Sequence, residues 1–329
     1  MKAKFSIVII LTSLLFGCRP GNQESKDIIV VAHRGASGYL PEHTLEAVAM
    51  AHSWNVDYIE PDLVMTKDDR LVVMHDPHLD TTTNVAELFS KRVREDGRFY
   101  AVDFTLNEIK QLRVHERMNL KTGEPVFKNR FPKNKSDFRV PTFEEYIELV
   151  QGLNQSRGKA IGIIPEIKAP EFHQMEGKDI VTKTLEVLRR YGYEENNQAI
   201  IQCFFPPTLK ALKEKTKIPL LQLIADDSWG ETSADYKKLQ TKEGLKEIAT
   251  YAQYLGPWIP QLISNKDGKI VVSDLVKNAH EVGLKVMPYT IRLEEVSEPF
   301  KTSDEMVNYL VNEVDVDGLF SDFADRLIR

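Results

Sequence analysis

Short apolar runs rich in strand-forming residues return along the chain, each separated from the next by a stretch with amphipathic helical periodicity. This alternation constrains the fold more than any other feature. The runs begin at Ile28-Ile29-Val30-Val31, Asp57-Tyr58-Ile59-Glu60, Ile161-Gly162-Ile163-Ile164, Ala199-Ile200-Ile201, Leu220-Leu221-Gln222-Leu223-Ile224, Tyr254-Leu255-Gly256, Leu284-Lys285-Val286-Met287 and Asp317-Gly318-Leu319-Phe320. Strands that alternate with helices are the pattern of βα units around a parallel sheet, and eight such units predict a closed TIM-type (β/α)8 barrel of the α/β class. A chain of 329 residues, 42% hydrophobic, is long enough for one barrel or for two domains, so length alone does not choose.

One interval breaks the rhythm. Between the second and third units lies a polar excursion from roughly Pro77 to Arg139, with a single short helix expected near Leu106 to Val114. A structureless loop of that length is improbable in a compact domain, so residues 77–139 are expected to be an inserted subdomain on one barrel face. Pro132 to Pro141 would close it, before a helix whose Thr142-x-x-Glu145 spacing has the form of a capping box.

The N-terminus is different in kind. Lys2 and Lys4 precede an apolar run from Phe5 to Phe16, too short to span a bilayer and of the length of a secretory signal. Leu15-Phe16-Gly17-Cys18 resembles a bacterial lipobox, in which the cysteine becomes the lipidated first residue; an ordinary signal peptide is the competing reading. The expected organisation is a signal over 1–17, a tether over 18–27 and a barrel over 28–329, with membrane attachment through Cys18 in the bacterial envelope, facing the periplasm or cell surface. With Cys18 acylated, Cys203 has no partner and reads as a buried structural thiol. Lys and Arg total 43 against 49 Asp and Glu, a net charge of −6, and no basic stripe accumulates for a nucleic acid. Clusters such as Lys91 to Arg94 read as solvated surface, and nothing in the sequence signals an oligomeric state.

Titratable residues gather at the ends of the expected strands, where TIM barrels assemble their active sites. The first run leads into His33-Arg34-Gly35, the second ends Glu60-Pro61-Asp62, Leu71 to Met74 leads into His75-Asp76, and the third delivers Glu166-Ile167-Lys168. Alternation along a strand puts Glu60 and Asp62 on one face, where they would repel unless a cation sits between them. Glu60, Asp62 and Glu166 make an oxygen-only set that suits one divalent cation, Ca²⁺ ahead of Mg²⁺. A metal-free network with Arg34 and Lys168 is the alternative. Trp229, Trp258 and Tyr289 follow strands and are candidates for an aromatic wall or for core packing.

These elements, together with Pro41-Glu42-His43-Thr44, Pro288-Tyr289-Thr290-Ile291-Arg292 and Asp317 to Asp322, resemble the glycerophosphodiester phosphodiesterase family over nearly the whole mature chain. The long insert, with Tyr100 to Leu106, looks like the family's bacterial periplasmic branch. The resemblance implies hydrolysis of a small glycerophosphodiester, such as glycerophosphocholine or glycerophosphoethanolamine, to sn-glycerol 3-phosphate and an alcohol, with Ca²⁺. It assigns acid–base catalysis to His33 and His75, metal binding to Glu60, Asp62 and Glu166, and phosphate binding to Arg34 and Lys168, while Tyr289, as part of the aromatic wall, is expected to contact substrate. His43 is expected to brace its loop, and His52, His78, His115, His173 and His280 to lie at the surface or behind the site. The chain departs from the branch at Phe205, which is expected to alter the mouth near the fourth strand. Two rival readings stay open: a phospholipase C-like lyase releasing a cyclic phosphate, and a surface-binding lipoprotein without catalysis.

Overall fold

The computed structural model describes residues 27–328; the expected signal, the expected lipobox with Cys18 and the expected tether up to residue 26 lie outside the described residues. All eight expected strands form, and they close into a TIM barrel. In chain order the strands are β1 (Ile29–His33), β2 (Tyr58–Glu60), β3 (Asp62–Met65), β4 (Leu71–Val73), β5 (Gly162–Ile163), β6 (Glu166–Ile167), β7 (Ile201–Cys203), β8 (Leu220–Ile224), β9 (Tyr254–Pro257), β10 (Ile263–Lys266), β11 (Lys269–Val272), β12 (Lys285–Val286) and β13 (Gly318–Ser321). The second barrel strand is β2 running on into β3 past Pro61, and the third is β5 running on into β6 past Pro165. A proline has no N–H for the ladder, so each strand kinks there. Pairing survives because the proline carbonyls still accept: Glu166 N donates to Pro61 O at 2.8 Å and Gln202 N to Pro165 O at 3.0 Å.

Neighbouring barrel strands are parallel, from β1 through β9 to β12. Closure comes from β13, which pairs with β1 from Ile29↔Gly318 to Ala32↔Ser321, while Asp317 N and Phe320 N donate to Val286 O and Pro288 O on the β12 side. Register then decides which side chains meet. His33 stands opposite Glu60, Asp62 opposite Glu166, and Glu166 opposite Gln202. The core fills the barrel and the layer beneath helices such as Leu45–Ser53, Phe143–Arg157 and Ile180–Arg190. Each fully buried Ile, Leu or Val there contributes roughly 1.5–3 kcal/mol of transfer free energy.

β3 and β4 form an antiparallel hairpin with two buried faces. Leu63, Met65, Leu71 and Val73 point to the main core, whereas Val64, Val72 and Met74 point to a second apolar cluster with Leu79, Phe99, Phe104, Ile109 and Phe138. Strand alternation therefore joins the segment 77–139 to the barrel wall. That segment departs from expectation in two ways. Its helix spans only Leu106–Ile109, because Val114 is drawn into bridges with Thr83 and Phe138. It also holds a helical turn at Val85–Leu88 and two 3₁₀ turns, at Ser90–Arg92 and Ala101–Asp103. The β10–β11 hairpin is a further element that periodicity alone does not reveal. Among the described residues no helix is long and apolar enough to cross a membrane.

Candidate active site

β1 ends at His33 and the chain turns at once. Arg34 takes a left-handed φ of 57°, which lets its N–H donate to Glu60 Oε2 at 2.8 Å. Gly35 follows at φ 78°, where a Cβ would lie 2.9 Å from the Ala47 carbonyl carbon, so only glycine fits. His43 (φ 66°) and Ala169 (φ 40°) are likewise left-handed. Such backbone costs on the order of 1–3 kcal/mol per residue and persists where surrounding contacts over-determine it.

Glu60, Asp62 and Glu166 are buried, each offering a carboxylate oxygen within 4.8 Å of the others'. Burial, then the neighbouring carboxylates, push Glu60 well above the usual carboxylate range. Burial also raises Glu166 well above it, against the pull of Lys168. Asp62 goes the other way: burial opposes its ionisation, but His75, His43 and Lys168 outweigh burial and hold it well below. Asp62 Oδ1 is buried and has no hydrogen-bond partner. An orphaned oxygen among three carboxylates that disfavour one another's charge fits a hard divalent cation, and an oxygen-only set suits Ca²⁺ or Mg²⁺ over zinc.

A histidine stands on either side. His33 Nδ1 lies 2.6 Å from Asp322 Oδ1, and His75 Nδ1 lies 2.5 Å from Asp76 Oδ1. An ionised carboxylate only accepts, so each partner assigns the ring proton to Nδ1 and leaves Nε2 with its lone pair. Burial, then Arg34, push His33 down to about 4; burial, then Arg34 and Lys168, do the same to His75. Both imidazoles therefore rest neutral near pH 7. Lys168 Nζ sits 2.7 Å from Glu166 Oε1, 3.1 Å from Glu231 Oε1 and 3.4 Å from His75 Nε2. Arg34 Nε lies 3.4 Å from Asp62 Oδ2 and its Nη1 bonds Glu42 at 3.2 Å.

A cavity of about 380 Å³ opens over this centre. His33, Arg34, Glu60, His75, Glu166, Lys168 and Tyr289 all line it, and Asp62 stands outside the lining but within 4.8 Å of the Glu60 and Glu166 carboxylates. Trp229 and Trp258 meet edge to face at 5.0 Å on its wall, and Phe204 and Tyr289 at 5.9 Å. The Tyr289 hydroxyl donates to Ile224 O at 2.8 Å, so the residue presents its ring rather than its oxygen. Phe204 lines the cavity, whereas Phe205 packs on the main core; the expectation that Phe205 shapes the mouth is thus corrected to its neighbour.

His43 Nε2 bonds Asp62 Oδ2 at 2.8 Å, so beside bracing its loop it holds one of the three carboxylates. His52, His78, His115, His173 and His280 lie away from the cavity lining; His173, for example, accepts from Met65 N at 3.0 Å. Sequence reasoning did not give roles to Gln202, whose Nε2 donates to Glu60 Oε1 at 3.1 Å, or to Glu231. Glu42, Asp76, Arg292 and Asp322 lie within the sequence motifs, but their contacts emerge only from the structure. Position just past a strand end was the available signal for Asp322, whereas Glu231 and Arg292 lie further along the loops after β8 and β12.

Fold and site together define a TIM-barrel enzyme in which an acidic, cation-fitting centre is flanked by two oriented imidazoles and by an arginine and a lysine suited to an anion. Comparison with known proteins carries this to the family. The model of the glycerophosphoryl diester phosphodiesterase family matches residues 33–326, and the chain belongs to that family. A glycerophosphodiester phosphodiesterase of Haemophilus influenzae is 41% identical, over 99% of this chain and 97% of its own length. One of Treponema pallidum is 34% identical, over 97% and 94%. Among solved structures, a phosphodiesterase of Oleispira antarctica in complex with the product sn-glycerol-3-phosphate shares the fold at a TM-score of 0.61 and 21% identity, covering 91% of this chain and 94% of that one.

Proposed function

We propose that the chain hydrolyses small glycerophosphodiesters, such as glycerophosphocholine or glycerophosphoethanolamine, to sn-glycerol 3-phosphate and an alcohol. One observation carries the reading: three buried carboxylates, two carboxylate-oriented histidines, Arg34 and Lys168 converge on a single cavity. Glu60, Asp62 and Glu166 would hold one divalent cation, Ca²⁺ by preference, and that ion supplies charge neutralisation at the phosphodiester. Arg34 and Lys168 bind the phosphoryl oxygens. One of His33 and His75 takes a proton of the attacking water at Nε2 while the other, having taken up a proton at Nε2 as the anionic phosphodiester binds beside it, delivers that proton to the leaving alkoxide. Asp322 and Asp76 hold the rings in place and stabilise each imidazolium as it forms. Trp229, Trp258 and Tyr289 face the alcohol, and a quaternary ammonium suits such aromatic walls.

The segment 77–139 is read as a subdomain of its own, with a small core shared with the β3–β4 hairpin. At the N-terminus, Cys18 is read as a lipid-bearing residue that anchors the protein in the envelope. Cys18→Ser should then leave the protein soluble or unprocessed, and a wild-type protein that already fractionates as soluble would refute the anchor. The activity itself is tested by release of sn-glycerol 3-phosphate from glycerophosphocholine, with and without chelator. Accumulation of a cyclic phosphate as the final product would favour a lyase instead.

A further inference from the structure

The two histidine–carboxylate pairs share a construction that reaches beyond the barrel. In each, one carboxylate oxygen receives the imidazole and the other is held by an arginine from the segment 77–139. Asp76 turns Oδ1 to His75, while its Oδ2 accepts from Arg117 Nη1 at 2.7 Å and Thr81 Oγ1 at 2.7 Å. Asp322 turns Oδ1 to His33, while its Oδ2 accepts from Arg130 Nη2 at 2.7 Å and Arg292 Nε at 2.9 Å. Neither arginine is loosely placed. Arg117 is forked onto Glu42, with Nη2 at 2.6 Å and Nε at 3.1 Å, and Glu42 is the partner of Arg34. Arg130 is 5% exposed in its side chain, stacks 3.8 Å over the Phe127 ring and pairs with Glu294 at 2.9 Å. A planar guanidinium held on several sides fixes the carboxylate it bonds, and a fixed carboxylate fixes the imidazole.

We infer that Arg117 and Arg130 are positioning residues for the reaction, acting through Asp76 on His75 and through Asp322 on His33, so that the segment 77–139 clamps both imidazoles at once. This rests on the proposed two-histidine chemistry. Loss of an outer partner of this kind costs activity about 10–100-fold, and the loss should fall on kcat with little change in KM for Arg130. Arg117 also supports Arg34 through Glu42, so its removal should raise KM as well.

A merely structural arginine would depress every background alike, whereas a positioning arginine has nothing left to position once its histidine is gone. The decisive measurement is therefore a pair of double-mutant cycles on glycerophosphocholine turnover, with Arg130→Met and Arg117→Met each placed in His33→Ala and His75→Ala enzyme. The kcat loss from Arg130→Met should nearly vanish beside His33→Ala and persist beside His75→Ala; Arg117→Met should show the reverse. Should either methionine variant fail to fold, Arg130→Lys and Arg117→Lys keep one bond to the carboxylate and should give the same pattern with smaller losses. Equal losses in both histidine backgrounds overturn the clamp while leaving the two-histidine reading intact. Wild-type kcat in the histidine single variants sinks that reading, and the clamp with it.

Discussion

The carboxylate–imidazole contacts make the sharpest statement about single residues. If His33 and His75 move protons on opposite sides of the phosphorus, alanine at either should lower kcat by about 10²–10⁴-fold while substrate binding changes much less. A nitrophenyl phosphodiester, whose leaving group needs no proton, should rescue the loss of the acid and not that of the base. Glu116 carries a different prediction. It is buried at 4% exposure with Oε2 unpartnered, and burial, reinforced by Glu42, raises it from 4.5 to about 7. Its folded value thus lies above its unfolded one, so its contribution to stability is complete below pH 4.5 and is lost as pH rises through 7. Glu116→Gln cannot ionise. The melting temperature of the variant relative to wild type should therefore climb between pH 4.5 and pH 8, and a pH-independent difference would refute the assignment.

Among elements, the helix Phe143–Arg157 was legible from its first residues. Thr142 Oγ1 accepts from Glu145 N at 3.1 Å, Glu145 Oε2 accepts from Thr142 N at 2.8 Å, and Gly158 closes the helix at a left-handed φ of 62°. Thr142→Ala should cost about 0.5–2 kcal/mol in denaturant unfolding with kcat unchanged, since the cap lies on the shell and not at the centre. One other element escaped, and a second came out shorter than expected. The β10–β11 hairpin turns at Asp267-Gly268, both with positive φ, a pairing that is itself a hairpin signal, yet its strands are largely exposed and lack the apolar alternation that betrays a strand. The helix expected to reach Val114 stops at Ile109 because Val114 spends its backbone on Thr83 and Phe138, which no local window contains.

For the whole molecule, barrel closure gathers the site and metal binding should report on it. An ion bound only by the folded chain stabilises it by about 2.7 kcal/mol at a free concentration near 100 times its dissociation constant. Ca²⁺ should therefore raise the melting temperature, and a chelator should lower it and abolish turnover. Glu60→Gln and Glu166→Gln should lose the Ca²⁺-dependent part of that shift while still folding. Both carboxylates are held above their usual range, so their neutral isosteres remove like-charge repulsion in the metal-free state. Full turnover in excess chelator, or an undiminished Ca²⁺ shift in both variants, would refute the carboxylate assignment.

Strand identity and the acidic set were readable from the chain alone because both are local properties. A buried strand announces itself in a handful of consecutive residues, and Glu60 and Asp62 flank one proline, so alternation already puts them on one face. Position at a strand end likewise drew attention to His33, His75 and Glu166. What completes the site was not local. Asp322 stands 289 residues from the histidine it orients, and Gln202 142 residues from Glu60. Arg117 and Arg130 lie in a polar stretch where they look like any solvated cation. Only closure of β13 onto β1, the register of β6 beside β3 and β7, and the approach of Arg117 and Arg130 to Asp76 and Asp322 bring these groups within hydrogen-bond reach. Periodicity records which side of an element a residue occupies, whereas a hydrogen bond needs its partner placed to within a few tenths of an ångström, and that placement exists only once the chain has closed.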